Sequence, residues 1–502
     1  MITLHYKKFR SLALVLLAVP SLIFFVTWLK LYIGIPCAFL LCVGMFFASK
    51  CEDGEIRIKK STLLLLGLLI IMWAFLSGQG GFFTQKSDYE YRNVIFRDLI
   101  NYAWPVRYKN GNSESLVYYI GYWLLPALLG KLGTALGGFR AGWFVARMAI
   151  LLWSVILIYV SFLLVLFKIG SGRKKATFIA FSVFVLFSGM DAVCTVANPQ
   201  RFLSHIEWWA AYYQYSSMST QLCWVFNQAV PAWLACAITF NEKDAKSFAL
   251  IGLLLLPTSP LPLVGLAAYM LIFALRSFVH AAKEKKIGAF LRDLFTPQNL
   301  LALVTLLPVF GLYYLNNIAS TDAQSGGLSG VNTIDASPTV LAVMYVLFVL
   351  FEFGFLLLAL RDRKHRFESL IILVSLLIAP LIRVGNSIDF CMRASIPALF
   401  LLMLMLMEYL CTVFCTKPPE KNAKDYQKYA KKLLTVMLIF VIGSVTPLVE
   451  YTSSVSRFIQ TGGACVTEYD YMETLDEIPL RSKMNFVGTD SDKSLFYQYL
   501  AR

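Results

Sequence analysis

The chain has 502 residues, of which 58% are hydrophobic and 15% charged, with a formal net charge of +15. So apolar a composition excludes a water-soluble globular class and points to an all-α, polytopic integral membrane protein. No basic block interleaved with aromatics resembles a nucleic-acid groove, so no nucleic-acid partner is expected. The charge is read instead as a bias of Lys and Arg between two sides of a bilayer.

About twenty apolar residues cross a bilayer, and the Lys and Arg of each connection set its side. Ser11–Leu29 and Leu31–Ser49 form a tight hairpin turning at Lys30, which places the basic N-terminus and Lys50–Lys60 in the cytoplasm. Ser61–Gly78 then crosses outward and delivers the first long polar stretch, Gln79–Pro105, to the extracytoplasmic face. That stretch packs Asp88, Glu90, Arg92, Asn93, Arg97 and Asp98 within eleven residues.

Leu116–Leu136 is long enough to span, yet Ala141–Phe167 must end inside at Lys168, Arg173, Lys174 and Lys175. Both conditions hold if Leu116–Leu136 starts and finishes outside, as membrane-surface or re-entrant helices rich in Tyr118, Tyr119, Tyr122 and Trp123. Ala176–Cys194 exits to an aromatic loop containing His205, Glu207, Trp208 and Trp209, and Gln221–Phe240 returns. Phe248–Leu275, broken by Pro257, Pro260 and Pro262, reads as a helical hairpin with short arms.

Leu300–Leu315 leads to a polar loop, Asn316–Ser337, and Thr339–Leu360 re-enters. Ser369–Ile382 exits to a short loop holding Arg383, Asp389 and Arg393. Ile396–Cys415 returns to a Lys-rich loop, Leu433–Leu448 exits, and a polar tail from Glu450 lies outside. The expected architecture is about 11 full spans, plus the short-armed hairpin and surface helices in the first large outer loop. It leaves most of the 45 Lys and Arg on the cytoplasmic side, with the N-terminus cytoplasmic and the C-terminus extracytoplasmic. Composition divides the chain into residues 1–60 (hairpin and cytoplasmic loop), 61–298 (a module with the acidic outer loop), 299–450 (further transmembrane helices) and 451–502 (a short outer tail).

Asp88 and Glu90 stand just beyond the third span. A carboxylate over a membrane-edge cavity can take a proton from an acceptor hydroxyl; the plain alternative is a solvated loop paired to Arg92 and Arg97. Arg383 and Arg393 flank Asp389, and a guanidinium at headgroup depth suits a phosphate because its planar fork makes two charge-assisted hydrogen bonds. The alternative is an ion pair with Asp389. His205, Glu207 and Trp208, with Arg92, Asn93 and Asp389, are candidate substrate-lining residues, against the ordinary reading of an interfacial aromatic belt. Glu352, near the middle of its span, is costly unless paired or facing a cavity, and best supports a transporter. The ten cysteines include no CxxC, and Cys37, Cys42, Cys223, Cys236, Cys411 and Cys415 read as small hydrophobes in apolar runs. No P-loop, GxSxG, HExxH or dinucleotide fingerprint stands in a usable context, and neither metal nor cofactor is indicated.

The order of parts resembles the GT-C-type polytopic glycosyltransferases. The counterparts are SDYEYRN at Ser87–Asn93, LVYYIGYWLLPALLGKLG at Leu116–Gly133, and FVARMAILL at Phe144–Leu152 with Arg147. The Pro-broken PTSPLP hairpin also looks like the short paired helices of that class. Two departures are an extra N-terminal hairpin and an Asp-Tyr-Glu where adjacent Asp-Glu is common. The resemblance implies a polyprenyl-phosphate sugar donor, an envelope glycan or lipid acceptor in the cell membrane, and a base at Asp88 or Glu90. Arg383 and Arg393 are then expected to bind the donor phosphate. A transporter or flippase of a lipid-linked saccharide, or a polysaccharide polymerase, are the alternatives.

Overall fold

The computed structural model describes residues 1–109, 113–195, 205–317, 337–383, 388–416, 423–463 and 474–502. The loop expected at Asn316–Ser337 and the Lys-rich loop after Cys415 lie largely outside the described residues.

Described residues are mostly helical. They include β1 (Ile2–His5), α1 (Tyr6–Trp28), α2 (Leu31–Ala48), β2 (Glu55–Ile58), α3 (Lys60–Leu76), α4 (Tyr89–Asn101), β3 (Ser115–Leu116) and α5 (Gly121–Ile169). There follow α6 (Lys174–Leu186), α7 (Phe226–Thr239), α8 (Pro260–Lys283), α9 (Pro297–Tyr314), α10 (Pro338–Leu360), α11 (Arg366–Ile378), α12 (Ile396–Cys415), α13 (Ala423–Gly443), α14 (Val445–Gln460) and β4 (Val487–Gly488). Among the described residues nine helical stretches are long and apolar enough to cross a membrane, and α3 is a shorter apolar helix.

These helices are apolar on nearly every side because they meet protein on one face and acyl chains on the other. Tyr32, Ile35, Phe39 and Phe46 of α2 and Leu64, Leu68 and Met72 of α3 are exposed, a continuous greasy exterior. Cys42 lies on this exterior, whereas Cys223, Cys236 and Cys411 are buried. The interior centres on α5, whose residues from Trp153 to Leu166 are largely buried and which packs on α1, α3 and α7.

α5 breaks at Gly137–Gly138, where Gly138 takes a φ of 75° that L side chains rarely adopt. Its two arms fold back on each other: Gly142 packs against Thr134, and the Tyr122 hydroxyl meets that of Ser154 at 2.7 Å. The first arm therefore starts level with Ser154, while the second continues to Ile169.

One end of the bundle is fixed by Arg10, which is 1% exposed. It donates to both Glu242 oxygens at 2.6 and 3.2 Å, to the Ala48 carbonyl and to the Ser247 hydroxyl. A buried guanidinium is tolerated only with this degree of satisfaction. The antiparallel β1–β2 ladder closes the same end, beside a cleft of about 630 Å³ bordered by Lys7, Lys50, Asp53 and Lys243.

Two regions differ from the sequence expectation. Phe248–Leu275 was expected to have two short arms; the first is short, Phe248–Leu253, but the second is the 24-residue α8. Pro260 and Pro262 fall in its first turn, where a missing amide costs nothing, so the prolines start the helix. The polar tail expected from Glu450 begins as helix: α14 runs to Gln460 and buries Glu450 to 8% exposure.

Candidate functional site

α4 presents a stripe of Tyr89, Arg92, Asn93, Phe96, Leu99 and Ile100 to the protein and leaves Glu90 and Asn101 outside. The loop before it is pinned from three directions. Arg147 donates to the Gly80 and Gly81 carbonyls at 2.6 and 2.5 Å and lies over the Phe82 ring. Gln79 donates to the Tyr89 hydroxyl at 2.8 Å, and Asn93 donates to Gln85 at 2.8 Å. Asn93 and Arg147 thus hold the loop, and the cavity they border with Gln85 and Phe226 measures only about 10 Å³.

Asp88, half-exposed, stands at the N-terminus of α4 and accepts from Arg92 at 2.9 Å. Arg92 is 4% exposed, lies over the Tyr89 and Phe226 rings, and its Nη1 has no hydrogen-bond partner among the described residues. The same arrangement recurs at Asp389–Ala394, where Arg393 Nη1 donates to a half-exposed Asp389 at 2.5 Å. Arg393 is 6% exposed, and its Nε is likewise without a hydrogen-bond partner among the described residues.

Tyr118 lies within electrostatic reach of both arginines. Burial raises its hydroxyl well above the ordinary value, the adjacent Tyr119 adds to the rise, and the charges of Arg92 and Arg393 both reach it and oppose it. The Tyr118 and Tyr119 rings lie 3.7 Å apart. Sequence reasoning placed Asp88, Arg92, Asp389 and Arg393 in one site together with Glu90, Asn93, Arg383, His205, Glu207 and Trp208; it gave Tyr118 and Tyr119 only an interfacial role.

Arg383 donates to the Tyr212 carbonyl at 2.9 Å. Glu90 is exposed, with its side chain off the buried stripe. His205 is sandwiched between Trp208 and Trp224, with ring centroids at 5.2 and 5.0 Å, and burial pushes it below its ordinary value. Trp224 in turn donates to Glu450 at 2.8 Å, and Glu450 pairs with Lys86 at 2.8 Å. Glu207 is 1% exposed, accepts from the Ser217 amide at 2.9 Å and from Gln214 at 3.2 Å, and is raised by burial. Its bonds are internal, so Glu207 braces the aromatic loop.

A second cluster lies inside the helices. The Trp209 indole donates to Glu352 at 2.9 Å and to Asp191 at 3.2 Å, and Asp191 also accepts from Thr446 and Ser188 at 2.8 and 3.1 Å. Glu352 sits in a π-helical turn, Leu350–Gly354, whose Phe351 carbonyl accepts the Met190 amide at 3.0 Å. Asp191 and Lys86 carried no signal in the sequence beyond their charge. Among the described residues no group of His, Cys, Asp and Glu is arranged to hold a metal ion.

Fold and composition together define an all-α polytopic membrane protein. No family model matches the chain, and neither a curated protein nor a solved structure matches it.

Proposed function

We propose that the chain is a membrane glycosyltransferase that moves a sugar from a polyprenyl-phosphate donor to an envelope glycan or lipid at the extracytoplasmic face of the cell membrane. One observation carries this reading: two buried guanidinium groups, Arg92 and Arg393, each keep an N–H unpaired among the described residues, and each holds a half-exposed aspartate four residues earlier. Buried arginines with spare donors suit a phosphate, because the fork binds two oxygens and a dry setting strengthens each bond.

In this reading Asp88 accepts the proton of an acceptor hydroxyl as its oxygen attacks the anomeric carbon. The bond from that carbon to the phosphate oxygen breaks, and the lipid phosphate leaves with the electron pair. Arg92 and Arg393 stabilise the charge that develops on it. Arg92 takes the phosphate role that topology gave to Arg383, and the exposed position of Glu90 favours Asp88 as the base. The test is transfer of a radiolabelled sugar from a polyprenyl-phosphate donor by the purified protein in vesicles; loss of transfer in Asp88→Asn with retention in Glu90→Gln supports the reading, and equal transfer by both variants and the unsubstituted chain refutes it.

The transporter or flippase reading is favoured by a different observation, the Asp191–Glu352 pair beside the break between α6 and Asp191–Cys194. Carboxylates at broken helices inside a membrane are a usual place for coupling protons or cations. The polymerase alternative would use the Tyr118 site with a lipid-linked oligosaccharide as donor.

A further inference from the structure

α8 runs past the end of α7. Its Tyr269 ring meets Phe240 at 4.7 Å and its Phe273 ring meets Phe248 at 5.3 Å, and the helix then continues to Lys283 with Leu275, Phe278 and Val279 exposed. An eight-residue helix, Ile287–Leu294, folds back along it, its Phe290 ring 5.6 Å from that of Phe278. The return is pinned to the Arg10 end of the bundle. Asn299 donates to the Leu294 and Ala245 carbonyls at 2.9 and 3.1 Å, and Thr296 donates to the Lys246 carbonyl at 2.7 Å. This end lies away from Asp88, because α7 runs from Phe226, under Arg92, to Thr239, just before Glu242.

The hairpin carries an apolar stripe that the described residues leave open. Ile287, Phe290, Leu291 and Leu294 recur at the spacing of one helical face. Phe290 and Leu294 are half-buried, whereas Ile287 and Leu291 are 41% and 43% exposed and Phe295 extends the stripe at 59%. A helix of eight residues is too short to hold itself in water, so the stripe needs a cover. Around it stand Arg276, Lys283, Lys285, Lys286 and Arg292, against only Glu284 and Asp293. Lys286 and His280 take Glu284 at 2.9 and 3.1 Å, and Asp293 faces Lys246 at 3.8 Å. Lys283, Lys285 and Arg292 keep no ion-pair partner among the described residues.

Two features select the cover. Phe278, on which Phe290 packs, shares a face of α8 with the exposed Leu271 and Leu275, and α8 is long and apolar enough to cross a membrane. The stripe therefore joins a surface that acyl chains already cover. The surplus charge is cationic, which suits a leaflet containing anionic phospholipid.

We propose that Leu275–Phe295 is a lipid-surface hairpin that lies in the headgroup layer at the Arg10 end and binds anionic phospholipid. Ile287, Leu291 and Phe295 enter the acyl boundary, and Lys283, Lys285 and Arg292 hold headgroup phosphates. The site stands apart from the transferase reading and does not depend on it.

Hydrogen exchange read by mass spectrometry tests this on the full chain, one copy per nanodisc, in phosphatidylcholine with and without phosphatidylglycerol. The amides of Ile287–Leu294 should exchange about tenfold or more slowly with phosphatidylglycerol present, and high salt should shrink the difference. Lys283→Gln, Lys285→Gln and Arg292→Gln together should abolish it. Leu291→Ser with Phe295→Ser should speed exchange in both lipids. Unchanged protection of α5 and α7 reports that each variant is folded, and the comparison of lipids in the unsubstituted chain needs no variant. Equal exchange in the two lipids overturns the proposal. So does equal slowing by inorganic phosphate added to phosphatidylcholine discs, which would make the site one for a soluble anion. Protection found only in discs holding two copies would assign the stripe to a second chain and overturn it as well.

Discussion

Arg92 and Arg393 stand on different helices, and each donates to the aspartate four residues earlier, Asp88 at 2.9 Å and Asp389 at 2.5 Å. Neither arginine can leave its aspartate cheaply, and neither has all its nitrogens used. The pairing makes two fixed positive groups with open donors, a different arrangement from two salt bridges that merely neutralise a loop.

Asp88 and Glu90 should separate sharply. Asp88→Asn is expected to lower sugar transfer about 10²–10⁴-fold, the usual range for removing a positioned general base. Glu90→Gln should stay close to the unsubstituted rate. Initial rates of transfer by protein of matched thermal stability make the comparison.

Lysine substitutions distinguish the arginines. Arg393→Lys and Arg92→Lys keep the charge and lose the planar fork, so each should weaken donor use roughly tenfold or more. Arg383→Lys should have little effect on transfer, because Arg383 is engaged with the Tyr212 carbonyl. Titration of donor at fixed acceptor reads this out; equal losses at all three positions would contradict the placement.

The seat of Leu475 should respond to pH. Burial pushes Asp98 up to about 7, opposed by its hydrogen bonds from Leu475 and Tyr108 and by Arg97, and reinforced by Asp476. Tyr102, Glu477 and the Lys483–Glu114 pair are the other titratable groups around it. A carboxyl raised in the folded state stabilises most while both states hold the proton, below the ordinary carboxylate value. That contribution declines as pH rises toward about 7 and is lost above it. Protection of 474–502 from hydrogen exchange should therefore fall between about pH 4 and pH 7 after correction for intrinsic rates, and Asp98→Asn should flatten the profile.

Gly80→Ala should destabilise the protein by about 1–3 kcal/mol. Gly80 has a φ of 76°, and a Cβ there would come within 2.6 Å of the Arg147 carbonyl oxygen. A lowered melting temperature in detergent, with wild-type donor affinity in the surviving folded fraction, is the expected outcome.

Glu352→Gln addresses the rival reading. If the Tyr118 site does the chemistry, this change should leave transfer near normal; if the Asp191–Glu352 pair couples transport, it should abolish flux of a lipid-linked saccharide into vesicles while outer-loop substitutions are tolerated.

Much of the helical plan was legible because apolar runs of membrane length are a strong signal, and because Asp88–Arg92 and Asp389–Arg393 have the spacing of one helical turn. Prolines misled at Phe248–Leu275, since a proline that starts a helix and one that breaks it look alike without knowing which residue is first. Lys86–Glu450 and the seat of Leu475 on Asp98 were not legible, because long-range pairing leaves no local pattern. The aromatic loop was read either as substrate lining or as an interfacial belt; Glu207 is satisfied internally and His205 lies between two indoles.

Because residues 474–502 are tied to Asp98 near their start and to Leu29 near their finish, their length is as constrained as their chemistry. Adding or deleting one residue between Lys483 and Val487 would turn Val487, now 0% exposed, toward water and carry Phe486 off Tyr91. In chains built on the same plan, insertions and deletions should avoid this interval even where the side chains within it have drifted.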